Sequence, residues 1–523
     1  MEIRLTETEN RICSLLDECT RWMKEEKGLD TSCRIAGGWV RDKLLGSKSN
    51  DIDIALSNMM GLTFAENFQQ FCTTVKDFPV EKIAKIESNP NRSKHLETAR
   101  TSIDGVEIDF VNLRNEEYAE NSRIPTQIIC AIQGFGTPLE DALRRDITIN
   151  ALFYNIHTHS VEDYTEKGLN DLKNGIVRTP LPPEETFMDD PLRVLRCVRF
   201  ASRFGFEMVP ELQVAARDSE IQHALSTKIS RERVGEELDK MMKGRDPLRA
   251  IQLINELSLY SSIFHIPAEV APEFTGEIAP SEEGLAAATI LHLLLDPSSA
   301  SQLGLPPLHP LLTSFLAQDP TARPRLYLAC ALTPYRSVKY QDRKERWHLA
   351  VEAVLRDGVK LGVQNHYVDG IPALFEAADL LKEPRTGGEK ERVNMGLLMR
   401  EKLVHNQYTG THWTTSLLFA LVQQLVPLWR AGELDVTQAA IKIGTYNAFV
   451  ARAEELDLPS AVEAHPILNG KAVMQVLNAK PGKWTGQVLT HIIEWQLENP
   501  TASKQDCEEW LRNEYAAGNI IVG

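Results

Sequence analysis

Apolar residues recur at helical spacing from Thr6 to Lys27, with Ile12, Leu15, Leu16 and Cys19 on one side, which predicts an amphipathic helix. Downstream the period shortens. The runs CRIAGGWV, DIDIAL, VEIDFVNL and ITINALFYNI are rich in Ile and Val and separated by turn residues, so they read as strands. A mixed α/β domain is therefore expected from the N-terminus to about Tyr164. From Asp189 onward helical periodicity takes over, with almost no convincing strand. Breaks rich in Pro or Gly at Ile266–Gly284, Asp296–Pro310 and Lys382–Lys390 divide the helical segments. The fold class expected is α+β, a mixed-sheet head followed by a long helical arm.

Composition narrows the class without choosing within it. The 523 residues are 43% hydrophobic and 25% charged, ordinary for a globular chain long enough for several domains. A net charge of -16 announces no general affinity for nucleic acid, so a polyanionic partner needs a local basic surface or metal ions. The eight cysteines form no Cys-x-x-Cys pair and no zinc-like grouping with histidine, as expected of reduced thiols in an intracellular compartment. MEIRLTETEN carries early acids and no apolar core, so it reads as neither a secretory signal nor a typical transit peptide. WTTSLLFALVQQLVPLW is interrupted by Gln423, Gln424 and Pro427 and predicts a core helix rather than a membrane span. A soluble intracellular protein is expected.

The chemistry concentrates in AGGWVRDKLLGSKSNDIDIAL, Ala36 to Leu56. Side chains alternate along a strand, so Asp51 and Asp53 point to one face, roughly 6.5–7 Å apart at the backbone. Two carboxylates so placed repel unless a cation lies between them, and oxygen ligands with a phosphate substrate favour magnesium. Asp109 in VEIDFVNL is the candidate third carboxylate from a neighbouring strand. Gly37 and Gly38 allow the backbone to approach a phosphate at a turn leading into the helix WVRDKLLG, where Arg41 is placed to meet a triphosphate oxygen. Neither a Walker loop nor a dinucleotide fingerprint is present.

The whole pattern, Gly-Gly-x-Val-Arg-Asp-x-x-Leu-Gly-x(4)-Asp-x-Asp, resembles the signature of the polymerase-β-type nucleotidyltransferases, in the branch holding tRNA nucleotidyltransferases (CCA-adding enzymes) and bacterial poly(A) polymerases. EDALRRDITINALFYNI is similar to that family's second motif through Arg144, Arg145, Asp146 and Asn150. The resemblance implies Arg145 for phosphate and Asp146 with Asn150 for the sugar. DYTEKGLNDL resembles the hinge motif between head and neck through Asp163, Gly168, Asp171 and Leu172, and ISRERVGEEL the fifth motif through Arg231, Arg233, Glu236 and Glu237. KPGKWTGQVLTHIIEWQLENP resembles the family's C-terminal helices, and its Gly-Lys-Trp turn is placed to approach an RNA backbone, although tryptophans such as Trp484 and Trp495 are more often core residues. KHLETA, EEYAENSRIP and FGTPLEDALRRD fit eukaryotic-type members. The apolar IICAI, Ile128 to Ile132, falls where the family carries a mobile loop that helps switch from adding C to adding A.

The helix expected in DDPLRVLRCVRFASRFGF has Asp190 as its N-cap and Pro191 in its first position. Asp190, Arg193, Arg196, Arg199 and Arg203 recur every three or four residues on one face, with Leu192, Leu195, Val198 and Phe206 available to the buried side. Four arginines with a single acid repel one another, so a nearby anion is expected. The Asp190–Arg193 pair has a further use. A carboxylate accepts and a guanidinium donates, so the pair suits cytosine and adenine, which both present an amino donor beside a ring-nitrogen acceptor, and leaves uracil and guanine mismatched.

Resemblance and chemistry together imply template-independent, magnesium-dependent addition of CCA to the 3′ end of tRNA from CTP and ATP. The expected parts are a catalytic head over 1–165, a helical neck for base recognition over 166–245, a helical body over 246–400 and a helical, tRNA-binding tail over 401–523. A monomer is favoured. Residence in the cytoplasm or nucleus is expected, with a mitochondrial pool left open. The alternatives are a CC-only, A-only or poly(A)-adding enzyme of the same fold and, more distantly, a non-catalytic RNA-binding scaffold.

Overall fold

In a computed structural model the described residues are 2–49, 51–86, 98–113 and 135–522. The apolar insertion Ile128–Ile132 and EEYAENSRIP lie outside them, as does most of KHLETA. The chain divides into two compact units, Met1–His265 and Ile266–Gly523.

The first unit opens with α1 (Glu7–Lys27), whose start is fixed by a capping box in which Thr6 and Glu9 satisfy each other's backbone N–H groups and whose end is turned by Gly28 in the left-handed region. Its apolar side, Ile12, Leu15, Leu16, Cys19 and Met23, is buried, as its periodicity requires. A seven-stranded sheet follows, ordered β3-β4-β5-β2-β1-β6-β7. The strands are β1 (Cys33–Ala36), β2 (Asp51–Leu56), β3 (Ala84–Ile86), β4 (Thr98–Ile103), β5 (Val106–Asn112), β6 (Phe153–Asn155) and β7 (Ser160–Glu162). The β2–β5 pair runs parallel and its neighbours antiparallel. The sheet carries α2 (Gly38–Leu44) and α3 (Gly61–Thr74). Phe64 and Phe68 of α3 meet Phe110 of β5 with ring centroids 5.1 and 5.8 Å apart, sealing one face of the sheet.

ITINALFYNI is not one strand. Thr148–Asn150 forms a 3-10 turn and only Phe153–Asn155 pairs in the sheet. The arm is not wholly helical either. Ile176–Val177 pairs with Glu207–Met208, and the second unit contains a three-stranded sheet of Phe274–Thr275, Lys339–Gln341 and Trp347–Leu349, and a hairpin of Trp429–Arg430 with Glu433–Leu434. Two or three residues are too short for an alternation to register in a sequence. After α4 (Pro138–Leu143), the helices α5 (Leu192–Phe204) and α6 (Arg231–Met242) pack together in the first unit.

In the second unit Trp413–Leu425 is a core helix, with Leu417, Leu418, Phe419, Leu421 and Val422 fully buried. Its interrupting Gln423 is buried too, and donates to Thr333 Oγ1 at 3.0 Å. Trp484 lies in a core cluster with Val488, Ile492 and Leu511, while Trp495 packs against that cluster and stacks on Trp510. Cys13, Cys19, Cys33, Cys72, Cys197, Cys330 and Cys507 are buried free thiols. No helix among the described residues is long and apolar enough to cross a membrane.

Candidate active site

The acidic edge is built by strand register. Parallel pairing of β2 with β5 sets Asp53 opposite Asp109 and Asp51 opposite Glu107. Ile52 and Ile54 point into the core, which leaves Asp51 and Asp53 on the other face. One carboxylate oxygen from each of Asp51, Asp53 and Asp109 lies within 4.8 Å of the other two. Three hard oxygen donors at this spacing suit a divalent cation such as magnesium.

A residue missed in the sequence also reaches this edge. Arg100 of β4 donates to both oxygens of Asp109, Nε to Oδ1 and Nη2 to Oδ2, each at 2.7 Å, and Nη1 donates to Glu107 at 3.1 Å. The paired Asp109 raises the pKa of Arg100. Each Asp109 oxygen retains a second lone pair, so this clamp leaves the carboxylate able to face a cation. The signal was present: Asp104-Gly105 in SIDGVEIDF is a two-residue hairpin turn, both residues have positive φ, and that loop puts Arg100 opposite Asp109.

The two glycines differ. Gly37 has φ 71° and ψ -124°, a conformation closed to other residues, and a Cβ there would sit 2.7 Å from Arg145 Nη1. Gly38 begins α2, and a Cβ on it would meet only Arg41 Nη2 at 3.5 Å. Arg41 itself is 4% exposed. Its Nε donates to Asp42 at 2.8 Å, Nη1 donates to Asn150 Oδ1, and the guanidinium lies 5.2 and 4.9 Å from the rings of Phe200 and Phe204. Burial lowers its pKa, opposed by Asp42.

Asn150 links this arginine to the second motif, because its Nδ2 donates to Asp146 Oδ1 at 3.0 Å. Asp146 also accepts from Arg196 Nε at 2.7 Å. Burial would raise the Asp146 carboxyl, but Arg196 and Asn150 hold it down at about 2. Arg144 and Arg145 both donate to Asp141, each through a 2.8 Å contact. Burial opposes ionisation of Asp141 too, and the two arginines keep it well below the usual carboxylate range. Arg145 further donates to the Asn150 carbonyl at 3.2 Å, facing the glycine turn.

On α5 the arginines have carboxylate partners from other elements, so the stripe needs no external anion to relieve its repulsion. Arg193 pairs with Asp189 at 2.9 Å, Arg196 with Asp146, Arg199 with Glu237 of α6 at 2.5 Å, and Arg203 with Asp42 at 3.7 Å. The side chains of Asp190 and Arg193 take other partners: the Asp190 carboxylate accepts from Arg233 of α6 at 2.9 Å and from the Leu192 N–H at 3.1 Å. The helix begins at Leu192, with Pro191 rather than Asp190 in the cap position. Leu192, Leu195 and Val198 are buried as expected, whereas Phe206 is half-buried against Phe204, at a centroid distance of 5.5 Å. The structure thus brings Arg41, Asn150, Asp146, Arg196 and Arg199 into one connected network, with Asp190 and Arg193 at the start of the same helix.

Residues 33–178 match the profile of the poly A polymerase head domain, and 205–271 that of the probable RNA and SrmB-binding site of polymerase A. The chain is 37% identical over 528 residues to a Saccharomyces cerevisiae protein named CCA tRNA nucleotidyltransferase, mitochondrial, covering 97% of this chain and 92% of that protein. It is 33% identical over 510 residues to a Schizosaccharomyces pombe tRNA nucleotidyltransferase, covering 96% and 95% of the two chains. Among solved structures, the apo form II of a CCA-adding enzyme shares the fold with a TM-score of 0.61 at 21% identity, covering 98% of this chain and 99% of that one. The Thermotoga maritima CCA-adding enzyme complexed with tRNA shares it at 0.58 and 20%, covering 98% and 100%. With acidic triad, glycine turn and arginine helix in place and full-length relatives above 30% identity, this chain belongs to the CCA tRNA nucleotidyltransferase family.

Proposed function

We propose that this protein adds CCA to the 3′ end of tRNA without a template, using CTP and ATP. The observation that carries this reading is the convergence of Asp51, Asp53 and Asp109. Those carboxylates would hold Mg2+, which when bound activates the attacking hydroxyl and neutralises charge on the phosphates. The tRNA 3′-oxygen attacks the α-phosphorus, the bond to pyrophosphate breaks, and the hydroxyl proton leaves to solvent.

The chain's own residues position the reactants. Gly37 and Gly38 let the triphosphate approach the backbone, with Arg145 directed at the same turn. Asp146 and Asn150 take the ribose, with Arg41 and Arg196 holding them in register. Asp190 and Arg193 present acceptor and donor to the base edge, and Arg199 holds α5 on Glu237. For Asp190 and Arg193 to read a base together they must exchange part of their contacts with Arg233 and Asp189. Orientation and preorganised charge then supply most of the catalysis.

In this reading 1–165 is the catalytic head and 166–245 the neck, while the body, 246–400, and tail, 401–523, grip tRNA through backbone shape. The active form is a monomer in cytoplasm or nucleus, and the mitochondrial name of the full-length Saccharomyces cerevisiae relative supports an organellar pool.

The test supplies each nucleotide singly to tRNAs ending before CCA, at C and at CC. Two CMP additions followed by one AMP are expected, with UTP and GTP rejected. A chain that stops after CC, or adds only the last A, is a partial enzyme. An open-ended A ladder defeats CCA addition.

A further inference from the structure

A basic cavity of about 730 Å³ lies in the first unit where the C-terminal ends of α2, α5 and α6 meet. Five cations line it: Arg199, Arg203, Lys240, Lys243 and Arg245. Glu237 faces Arg199 and Lys240, Asp239 faces Lys243, and Asp42 is 3.7 Å from Arg203. Cations outnumber these acids, in a chain whose net charge is -16. Helix C-termini favour a basic residue each, but that effect does not require so many around one cavity. Phe204 and Phe206 complete the wall, both half-buried, with Arg203 5.0 Å from the Phe204 ring.

We infer that this cavity holds the unpaired nucleotides just behind the reacting 3′ end of the RNA. Cations beside partly exposed aromatic rings suit a single strand, whose phosphates and base faces are both accessible, better than a duplex, which offers mainly phosphates. The volume accommodates about two nucleotides. Covalent geometry ties the cavity to the chemistry: Ser47 lines it, and Asp51 is four residues on, at most about 14 Å away along the chain. The inference rests on the proposed tRNA substrate and adds where its end is gripped. A free nucleoside triphosphate offers the same phosphate and base chemistry, so the test separates the two.

Lys243 and Arg245 are exposed at the rim, so Lys243→Glu with Arg245→Glu leaves the core untouched. Binding is read by fluorescence anisotropy without nucleotide, using a labelled tRNA ending in CC and the same tRNA trimmed to its last base pair. Wild type is expected to bind the trimmed tRNA about tenfold more weakly. The variant is expected to bind the CC-ended tRNA about tenfold more weakly, to lose nothing further on trimming, and to show a salt slope shallower by about 1.4. Its affinity for CTP should be unchanged. Unaltered tRNA affinity in the variant, losses that simply add, or a parallel loss of CTP binding would each overturn the inference. Wild type that binds neither tRNA would instead bring down the tRNA reading itself, and this inference with it.

Discussion

Arg196 Nε donates to Asp146 Oδ2 at 2.7 Å, joining residues 50 positions apart and fastening α5 to the second motif. Asp146 is buried and holds Asn150, which in turn accepts from Arg41. One ion pair therefore orients two of the proposed nucleotide-binding side chains.

Arg196→Met should destabilise the first unit by about 3 kcal/mol, because it leaves a buried carboxylate without its main counter-charge. The folded Asp146 carboxyl sits at about 2, below its ordinary 3.8, so its stabilising effect is complete above about pH 4 and fades as pH falls towards 2. Urea unfolding between pH 2 and 7 should show this acid dependence in wild type and a weaker one in the variant.

Asp53→Ala should lower nucleotide incorporation about a thousandfold or more while tRNA binding persists, since in the proposed reading the carboxylate serves the cation. Normal incorporation by the variant would remove the metal assignment.

Gly37→Ala should cost about 2 kcal/mol, since alanine cannot adopt φ 71° with ψ -124° and its Cβ would displace Arg145. The apparent affinity for CTP should fall with it. Gly38→Ala meets no such contact and should hold stability within about 0.5 kcal/mol. Thermal unfolding of both variants separates the two positions; equal losses would contradict the backbone argument.

Asp190→Ala should weaken discrimination against UTP by about 1–3 kcal/mol and affect triphosphate binding less. Because Asp190 also pairs with Arg233, the companion Arg233→Met separates the structural loss from the loss of base choice. Rejection of UTP that survives in Asp190→Ala ends the templating role.

In the second unit His412 caps the helix Trp413–Leu425, its Nδ1 accepting from the Thr414 N–H at 3.3 Å. Burial, reinforced by His405, pushes its pKa down to about 4. The folded form thus resists protonation that the unfolded chain accepts near 6.5. The stabilisation is full above pH 6.5 and declines as pH falls towards 4, by about 3 kcal/mol. His412→Asn keeps a capping acceptor without the titration, so its unfolding midpoint should be flatter over that range.

Much of the site was legible because it is local. The Asp51/Asp53 spacing, the strand alternation that puts both on one face, and the turn at Gly37 follow from consecutive residues. The hairpin at Asp104-Gly105 belonged to the same class and would have disclosed Arg100. The arginine stripe misled for the opposite reason: its face was correct, but Asp42, Asp146 and Glu237 come from elsewhere in the chain. The short strand pairs of the arm left no period to read.

By itself the sequence determined which side chains each element presents, since helix and strand periods, caps and glycine turns depend on neighbouring residues alone. Tertiary structure decided who faces whom: Asp109 beside Asp53 through a parallel register, Arg196 on Asp146, and Asp190 on Arg233 rather than Arg193. Those choices rest on packing between segments far apart in the chain, where burial of a charge forces it to find a counter-charge, and no local pattern encodes which one is within reach.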